Sequence, residues 1–142
     1  MKLLVCGGRD YDDKHLLFST LDAAVQYGGC TEIICGYDPD NKRFQGADQL
    51  AYEWALETET PCKTFPADWE RFGRSAGPRR NTQMADDKPD EAVGFPRKDG
   101  RWGPGTLDML TKCVARGIQV HQVKREGSAE PLPPPPTQSE EP

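Results

Sequence analysis

The sequence lacks long apolar runs and an excess of positive charge. No apolar run in its 142 residues approaches the roughly 18 residues of a membrane-spanning helix, and its start lacks the basic-then-apolar order of a signal peptide. The formal net charge is -5. Because nonspecific affinity for nucleic acid comes mainly from neutralising phosphates, such a chain is a poor duplex binder. We therefore expect a cytoplasmic protein whose partner is neither a membrane nor a nucleic acid.

Histidine is scarce, and cysteine does not occur in close pairs. His15 and His121 are far apart, and neither has a second metal-type ligand beside it. The cysteines are an odd number and widely spaced, unlike those of a zinc site: Cys6, Cys30, Cys35, Cys62 and Cys113. The sequence therefore predicts reduced structural thiols, no metal site and no cofactor.

Short apolar runs alternate with segments of helical periodicity. The predicted strands cover residues 2–6, 31–36, 62–67, 91–96 and 118–123, and the predicted helices cover residues 14–28, 47–59, 77–87 and 106–116. This alternation predicts one α/β domain over residues 1–123, with a mostly parallel five-stranded sheet and helices on both faces. From residue 124 onward a Pro-rich and Glu-rich composition predicts a disordered tail, with a ligand for SH3-like domains as the alternative.

The loops at the carboxyl ends of parallel strands are where such a sheet binds ligands. After the first strand, Gly7 and Gly8 allow the backbone to approach a ligand closely, with Arg9 and Asp10 at the rim. The alternative is a tight turn that ends in an aspartate N-cap. This position at a strand tip favours ligand binding.

The second loop leads into a helix through the sequence "QGAD". Gly46 permits close approach, and Asp48 lies in the first helical turn. A carboxylate there stabilises the positive end of the helix dipole, but it could equally bond a ribose hydroxyl. The sequence leaves both roles for Asp48 open.

The third and fourth loops carry features typical of anion binding. Arg79 and Arg80 follow a helix start, where cations oppose the dipole, so a bound phosphate would compensate; an internal salt bridge is the alternative. Gly103, Gly105 and Thr106 precede the next helix and predict a glycine-rich cradle with the threonine as its cap.

Together, the motifs "VCGGRDYDD", "GAD", "FPADWERFGRSAGPRRN", "EAVGFP" and "GTLDM" resemble the small YspA-like branch of the SLOG superfamily. This Rossmann-like group includes the LOG ("lonely guy") cytokinin-activating phosphoribohydrolases and the DNA-processing DprA proteins. The resemblance implies a Rossmann-like fold and a nucleotide-type ligand at the glycine-rich edge. It also implies, for some members, the sensing of nucleotide or ADP-ribose-derived signals in bacterial and phage conflict.

One position departs from the catalytic LOG pattern. LOG enzymes act on an N-glycosidic bond with an arginine, matched here by Arg79 or Arg80, and with the glutamate of a "PGGxGTxxE" loop. The glutamate position carries Met109, and Asp108 points about 100° away on the helix. A thioether can neither stabilise a cationic transition state nor activate water. We therefore expect no catalytic residue here.

Two loops, residues 36–48 and residues 96–106, are longer than the corresponding loops of the families that the chain resembles. Both contain aromatic and basic residues. Tyr37 and Trp102 could stack on a base, with cations nearby for phosphates, which suits a lid over a nucleotide. The added residues also include Lys42, Arg43, Phe44, Arg97, Lys98 and Arg101. The alternative is exposed loops with solvated charge.

These observations favour a protein that senses or sequesters a phosphorylated nucleotide-derived small molecule. In its most specific form, the hypothesis is that the ligand is an immune signal of the ADP-ribose or cyclic nucleotide type. The protein would then be a phage-type sponge, which sequesters the signal, or a stand-alone sensor. One alternative is a LOG-like N-glycosidase that uses Asp10, Asp48 or Asp108, and another is a DprA-like binder of single-stranded nucleic acid. We expect a homo-oligomer, a dimer or larger.

Overall fold

The computed structural model describes residues 1–124, and these form a parallel sheet flanked by helices. The strands are β1 (Lys2–Gly7), β2 (Glu32–Cys35), β3 (Cys62–Thr64), β4 (Glu91–Phe95) and β5 (Gln119–Gln122). The helices are α1 (Lys14–Gly28), α2 (Ala47–Thr58), α3 (Trp69–Phe72), α4 (Ala76–Asp86) and α5 (Pro104–Ala115), with a 3₁₀ turn (Gly73–Ser75) between α3 and α4. Residues 125–142, nearly all of the predicted tail, lie outside the described residues.

The sheet has the strand order β3-β2-β1-β4-β5, and every neighbouring pair is parallel. In β1, Leu4 pairs with Ile34 on one side and with Ala92 on the other. The chain moves outward from β1 to β3 and then crosses back to β4. The α/β prediction is confirmed, and the switch in direction leaves a crevice at the carboxyl ends of β1 and β4, where parallel sheets bind ligands.

Two hydrophobic clusters, one on each face, bury β1 completely. Leu3 and Val5 belong to the cluster beneath α1 and α2, whereas Leu4 and Cys6 belong to the cluster beneath α4 and α5. The helices contribute Leu17, Leu21, Leu50 and Trp54 to the first cluster and Met84, Met109 and Leu110 to the second. Burial on both faces explains why β1 is a continuous apolar run instead of an alternating one.

Several element boundaries differ from the prediction, and one short helix was not predicted. Strand β3 ends at Thr64 because it pairs only with Ile33–Cys35 of β2. Helix α5 begins at Pro104, with Gly103 as N-cap, since proline suits the first helical position. Helix α3 was not predicted because four residues carry no periodic pattern. Within residues 1–124, no helix has the length and apolarity to cross a membrane.

Asp87, just after α4, joins three elements at the edge opposite the crevice. Its carboxylate pairs with Lys63 of β3 at 2.8 Å and with Lys2 of β1 at 3.1 Å. The Lys2 ammonium also donates to the backbone carbonyl of Asp87 at 2.9 Å. The hydrogen bond from Lys63, together with Lys2, lowers the pKa of the Asp87 carboxyl below its ordinary value of 3.8. The ionised form is therefore the one that stabilises the fold.

We expect Asp87→Asn to lower the free energy of unfolding at pH 7 by about 1 kcal/mol or less, because the largely exposed Lys63 is screened by water. Since the folded pKa is depressed, this stabilisation is present above pH 3.8 and is lost as pH falls through the lower folded value. Urea unfolding of both proteins from pH 7 down to about pH 3 measures the difference. Asp40→Asn, whose carboxylate makes no ion pair within residues 1–124, is the control. A difference that stays constant with pH would contradict the prediction.

Candidate functional site

A cavity of about 620 Å³ lies at the crevice where β1 and β4 end. Most of the residues predicted to bind a ligand line it: Gly7, Gly8, Arg9, Asp10, Asp48, Arg80, Gly103, Gly105 and Thr106. The other predicted residues, Tyr37, Gly46, Arg79 and Trp102, are not among its lining residues. Its volume is within the range of small-molecule sites, roughly 300–1,000 Å³.

The glycines of the β1–α1 loop hold neighbouring segments together. A Cβ atom on Gly7 would lie 2.7 Å from the Ala47 Cβ, and one on Gly8 would lie 2.8 Å from the Arg97 Cα. The Gly8 N–H donates to the Phe95 carbonyl at 3.1 Å, and the Gly8 carbonyl accepts from the Ala47 N–H at 3.2 Å. These glycines are therefore required by backbone packing, independently of any ligand.

Gly46 has a similar structural role just outside the cavity lining. Its φ of +60° is in the left-handed region, and a Cβ there would collide with the Gly8 carbonyl oxygen. Gly46 thus lets α2 begin directly against the β1–α1 loop. This contact places Asp48, two residues later, in the cavity wall.

Asp48 is partly exposed, but one of its carboxylate oxygens is buried. Oδ1 has no hydrogen-bond partner within the described residues. Burial raises the pKa of the Asp48 carboxyl, whereas Arg80, a hydrogen bond with the Gly36 backbone and Arg9 act in the opposite direction. The site therefore contains a carboxylate with an unused acceptor and cations nearby.

Arg80 is fixed by neighbouring oxygens. Its Nη1 donates to the Gly36 carbonyl at 2.9 Å and to the Phe65 carbonyl at 3.4 Å, and its Nε donates to the Asn81 Oδ1 at 3.0 Å. A Cβ atom on Gly36 would collide with the guanidinium, so the glycine makes room for it. The structure thus holds a preoriented cation in the cavity wall.

Arg79 points elsewhere. Its side chain is exposed, its Nε donates to the Ser75 hydroxyl at 3.1 Å, and its guanidinium lies 4.3 Å from the Phe72 ring centroid. Consecutive residues of a helix point about 100° apart, so only one of the two arginines can face the cavity. Because α4 begins at Ala76, Arg80 is the one that faces the cavity.

Asn81 was not singled out from the sequence, although it lies in the quoted "GPRRN" motif. It is 6% exposed, lines the cavity, and its Nδ2 donates to the Gly105 carbonyl at 3.2 Å and to the Asp108 Oδ2 at 3.0 Å. Lys112 donates to the same Asp108 oxygen at 2.8 Å. This network links α4 to α5 and ties the Asp108 carboxylate to structural partners.

The cavity wall also includes buried sulfur-containing side chains. Met109 is 1% exposed and, with Met84 and Cys6, belongs to the cluster beneath α4 and α5. Burial raises the pKa of the Cys6 thiol well above its ordinary value, so it stays protonated. Met109, which the sequence motif aligns with the LOG glutamate, therefore lies in an apolar part of the wall.

The N-terminus of α5 borders the same space. Gly103 is the N-cap, no side chain caps the helix, and Pro104 has no N–H group. Thr106 is therefore not the predicted cap, because it lies inside the first turn, where it is buried. The N–H groups of Gly105 and Thr106 have no acceptor within the helix, and they lie at the positive end of its dipole. An anion at this point would satisfy both.

A different aromatic residue from the two that were predicted lines the cavity. Tyr37 stacks on Tyr52 at a centroid distance of 4.5 Å, and Trp102 packs against the cluster beneath α5, with its indole N–H buried and without an acceptor in the described chain. Trp69 of α3 lines the cavity instead and is 43% exposed, with the Arg9 guanidinium 5.1 Å from its ring. Its segment gave no helical signal, so the sequence analysis did not select it.

Hydrogen bonds hold the two long loops, one after β2 and one after β4, in place. In the loop after β4, the Arg97 N–H donates to the Arg101 carbonyl at 2.8 Å, and the Lys98 N–H donates to the Asp10 Oδ1 at 2.9 Å. In the loop after β2, the Gln45 side chain accepts from the Asp38 N–H and donates to its carbonyl, both at 2.8 Å. Of the added cations, Arg97 lines the cavity.

Metal-type ligands do not cluster in the part of the chain that the structure covers. No group of three or more His, Cys, Asp or Glu side chains in residues 1–124 is placed to hold a metal ion. All five cysteines are free, and the Sγ atoms of Cys35 and Cys62 are 3.8 Å apart.

Comparison with known families finds one family model that matches the first half of the chain. The model of the YAcAr family, described as "YspA, cpYpsA-related SLOG family", matches residues 1–72. The matched segment runs from β1 to the end of α3 and includes the Gly7–Gly8 loop, Asp48 and Trp69. A search of the curated proteins finds no match. The family match confirms the resemblance inferred from the sequence motifs.

Proposed function

Because this chain belongs to the YspA, cpYpsA-related SLOG family, we propose that its cavity binds a phosphorylated, nucleotide-derived small molecule without cleaving it. The ligand class includes ADP-ribose-type and cyclic nucleotide signals, which the protein would sequester or sense, as a phage-type sponge or a stand-alone sensor. We also propose that it acts as a homo-oligomer.

The observation that carries this proposal is the combination of Arg80 and the α5 N-terminus in one cavity wall. The Gly105 and Thr106 N–H groups have no helical acceptor, and the preoriented Arg80 guanidinium lines the same space. Helix N-termini and guanidinium groups are used by proteins to bind phosphate, and the Arg80 Nη2 has no other hydrogen bond within residues 1–124. Their convergence supports an anionic ligand.

The apolar wall argues against hydrolysis of an N-glycosidic bond. Such a reaction needs a carboxylate beside the reacting carbon, but Met109 supplies a buried thioether. Asp108 lines the cavity, but Asn81 and Lys112 both bond its Oδ2. Its carboxylate therefore fits a structural role better than that of a general base.

Trp69 supports the nucleotide part of the ligand class. An exposed aromatic ring at the edge of a cavity is a natural platform for a base, and base stacking contributes about 1–3 kcal/mol. The nearby Arg9 guanidinium can shift aside or stack in turn. We propose this role for Trp69 in place of Trp102 and Tyr37.

Binding without turnover is the direct test. Mass spectrometry of the purified protein should identify a phosphorylated nucleotide derivative, or calorimetry should detect binding of adenosine monophosphate (AMP) or ADP-ribose. Chromatography of AMP incubations should show no release of free adenine above the rate without protein. Sustained release of adenine that Asp108→Ala abolishes would contradict the proposal and favour the N-glycosidase alternative.

The two arginines provide a matched pair of variants. Arg80→Ala should weaken binding of AMP or ADP-ribose roughly tenfold or more, because a charge-assisted hydrogen bond contributes about 1.5–3 kcal/mol. Arg79→Ala, which removes an exposed guanidinium from the same helix, should leave affinity within about twofold. Calorimetry measures both, with thermal melting as the check on folding. Equal losses in the two variants would mean that Arg80 has no special role.

A second pair of variants tests the aromatic platform. Trp69→Ala should weaken nucleotide binding by about 1–3 kcal/mol, and ligand should quench the fluorescence of Trp69. In Trp102→Phe the quenching should persist, since Trp102 packs against the hydrophobic cluster. Titration of both variants with AMP or ADP-ribose, followed by tryptophan emission, gives the answer. Quenching that disappears in Trp102→Phe would restore the predicted role of that loop.

A further inference from the structure

Two opposite charges line the cavity without touching. Asp48 and Arg80 are both lining residues, and each influences the other electrostatically. Yet no ion pair within 4.0 Å joins them in the part of the chain that the structure describes. A gap therefore separates a carboxylate from a guanidinium in a wall of the cavity.

Each of the two side chains retains bonding capacity. Arg80 uses Nη1 and Nε for its bonds to backbone and to Asn81, and its Nη2 makes no hydrogen bond within residues 1–124. The Asp48 Oδ1 is buried and also has no partner there. A change in the Asp48 side-chain torsions would turn this oxygen towards the cavity that the residue lines.

An unpaired acceptor of this kind needs an explanation. Buried polar atoms in folded proteins are nearly always hydrogen-bonded, so the orphaned oxygen points to a donor that arrives with the ligand. Stabilisation of the α2 N-terminus would require the negative charge of Asp48 but would not require an empty acceptor. The ligand-binding role is thus favoured over the helix-stabilising role.

We propose that Asp48 determines ligand specificity by accepting a hydrogen bond from a sugar hydroxyl, while Arg80 donates one Nη2 N–H to that hydroxyl and keeps the other for the phosphate. A hydroxyl both donates and accepts, so it fits between a carboxylate and a guanidinium. An amine cannot accept from the guanidinium, and a phosphate oxygen cannot donate to the carboxylate. The inference rests on the proposed function and makes the site selective for ribose over dideoxyribose.

Calorimetry with matched probes tests the inference. AMP has both ribose hydroxyls and an exocyclic amine, 2′,3′-dideoxy-AMP lacks the hydroxyls, and inosine monophosphate lacks the amine. The wild-type protein should bind AMP and inosine monophosphate similarly but dideoxy-AMP at least about tenfold more weakly, the effect of losing one charge-assisted hydrogen bond. In Asp48→Ala, most of the preference for AMP over dideoxy-AMP should be lost, because the hydroxyl keeps only its bond from Arg80.

Asp40→Ala is the control for net charge, because it removes an exposed carboxylate that is not among the cavity-lining residues. It should retain the preference for AMP over dideoxy-AMP, whereas an effect of net charge would change both variants alike. Asp48→Asn, which preserves side-chain shape, replaces the alanine variant if that protein fails to melt cooperatively. It should also lose most of the preference, because an amide oxygen is a weaker acceptor than a carboxylate.

The outcomes separate the two proposals. Equal wild-type binding of AMP and dideoxy-AMP, or a preference that survives undiminished in Asp48→Ala, overturns the role of Asp48 and leaves the proposed function standing. Selectivity against inosine monophosphate that depends on Asp48 overturns the hydroxyl and assigns the donor to the base. If neither AMP, inosine monophosphate nor ADP-ribose binds, the proposed function fails, and the inference fails with it.

Discussion

The candidate site depends on a close contact between two backbone segments, the β1–α1 loop and the start of α2. The Gly8 carbonyl accepts from the Ala47 N–H, and neither Gly7 nor Gly46 has space for a Cβ atom. A side chain at any of these glycines would push α2 away from the end of β1. Asp48 would move with the helix, and the cavity would lose a wall. The glycines thus fix the position of a charge without contacting a ligand themselves.

A second constraint operates on Arg80 in the same cavity. Two carbonyl oxygens, one just after β2 and one just after β3, and a side-chain oxygen of α4 hold the Arg80 guanidinium, so little side-chain entropy remains to be lost on binding. Asn81 then extends the connection to Asp108 and Lys112 on α5. The charges of the cavity therefore belong to a connected framework, and an anion would meet a site that is already formed.

The sequence predicted the architecture better than it predicted the details of the site. Continuous apolar runs in β1 and β4, separated by helical periodicity, were enough for a parallel sheet, and the sheet dictated which loops converge. The choice between Arg79 and Arg80 depends on the rotational phase of α4, which a one-residue shift in its start would change. Trp102 and Trp69 could not be ranked, because tertiary packing alone decides that one is partly buried and the other borders the cavity. The amide partners of Asn81 lie on a different helix and left no local signal.

The buried position of Met109 has a consequence for any acidic side chain at that position. A glutamate placed there would sit among Met84, Cys6 and Leu4, where desolvation favours the neutral acid. Of the cations that line the cavity with Met109, Arg80 already bonds other oxygens. A glutamate at this position would therefore need accompanying changes in the surrounding cluster before it could serve as an ionised carboxylate.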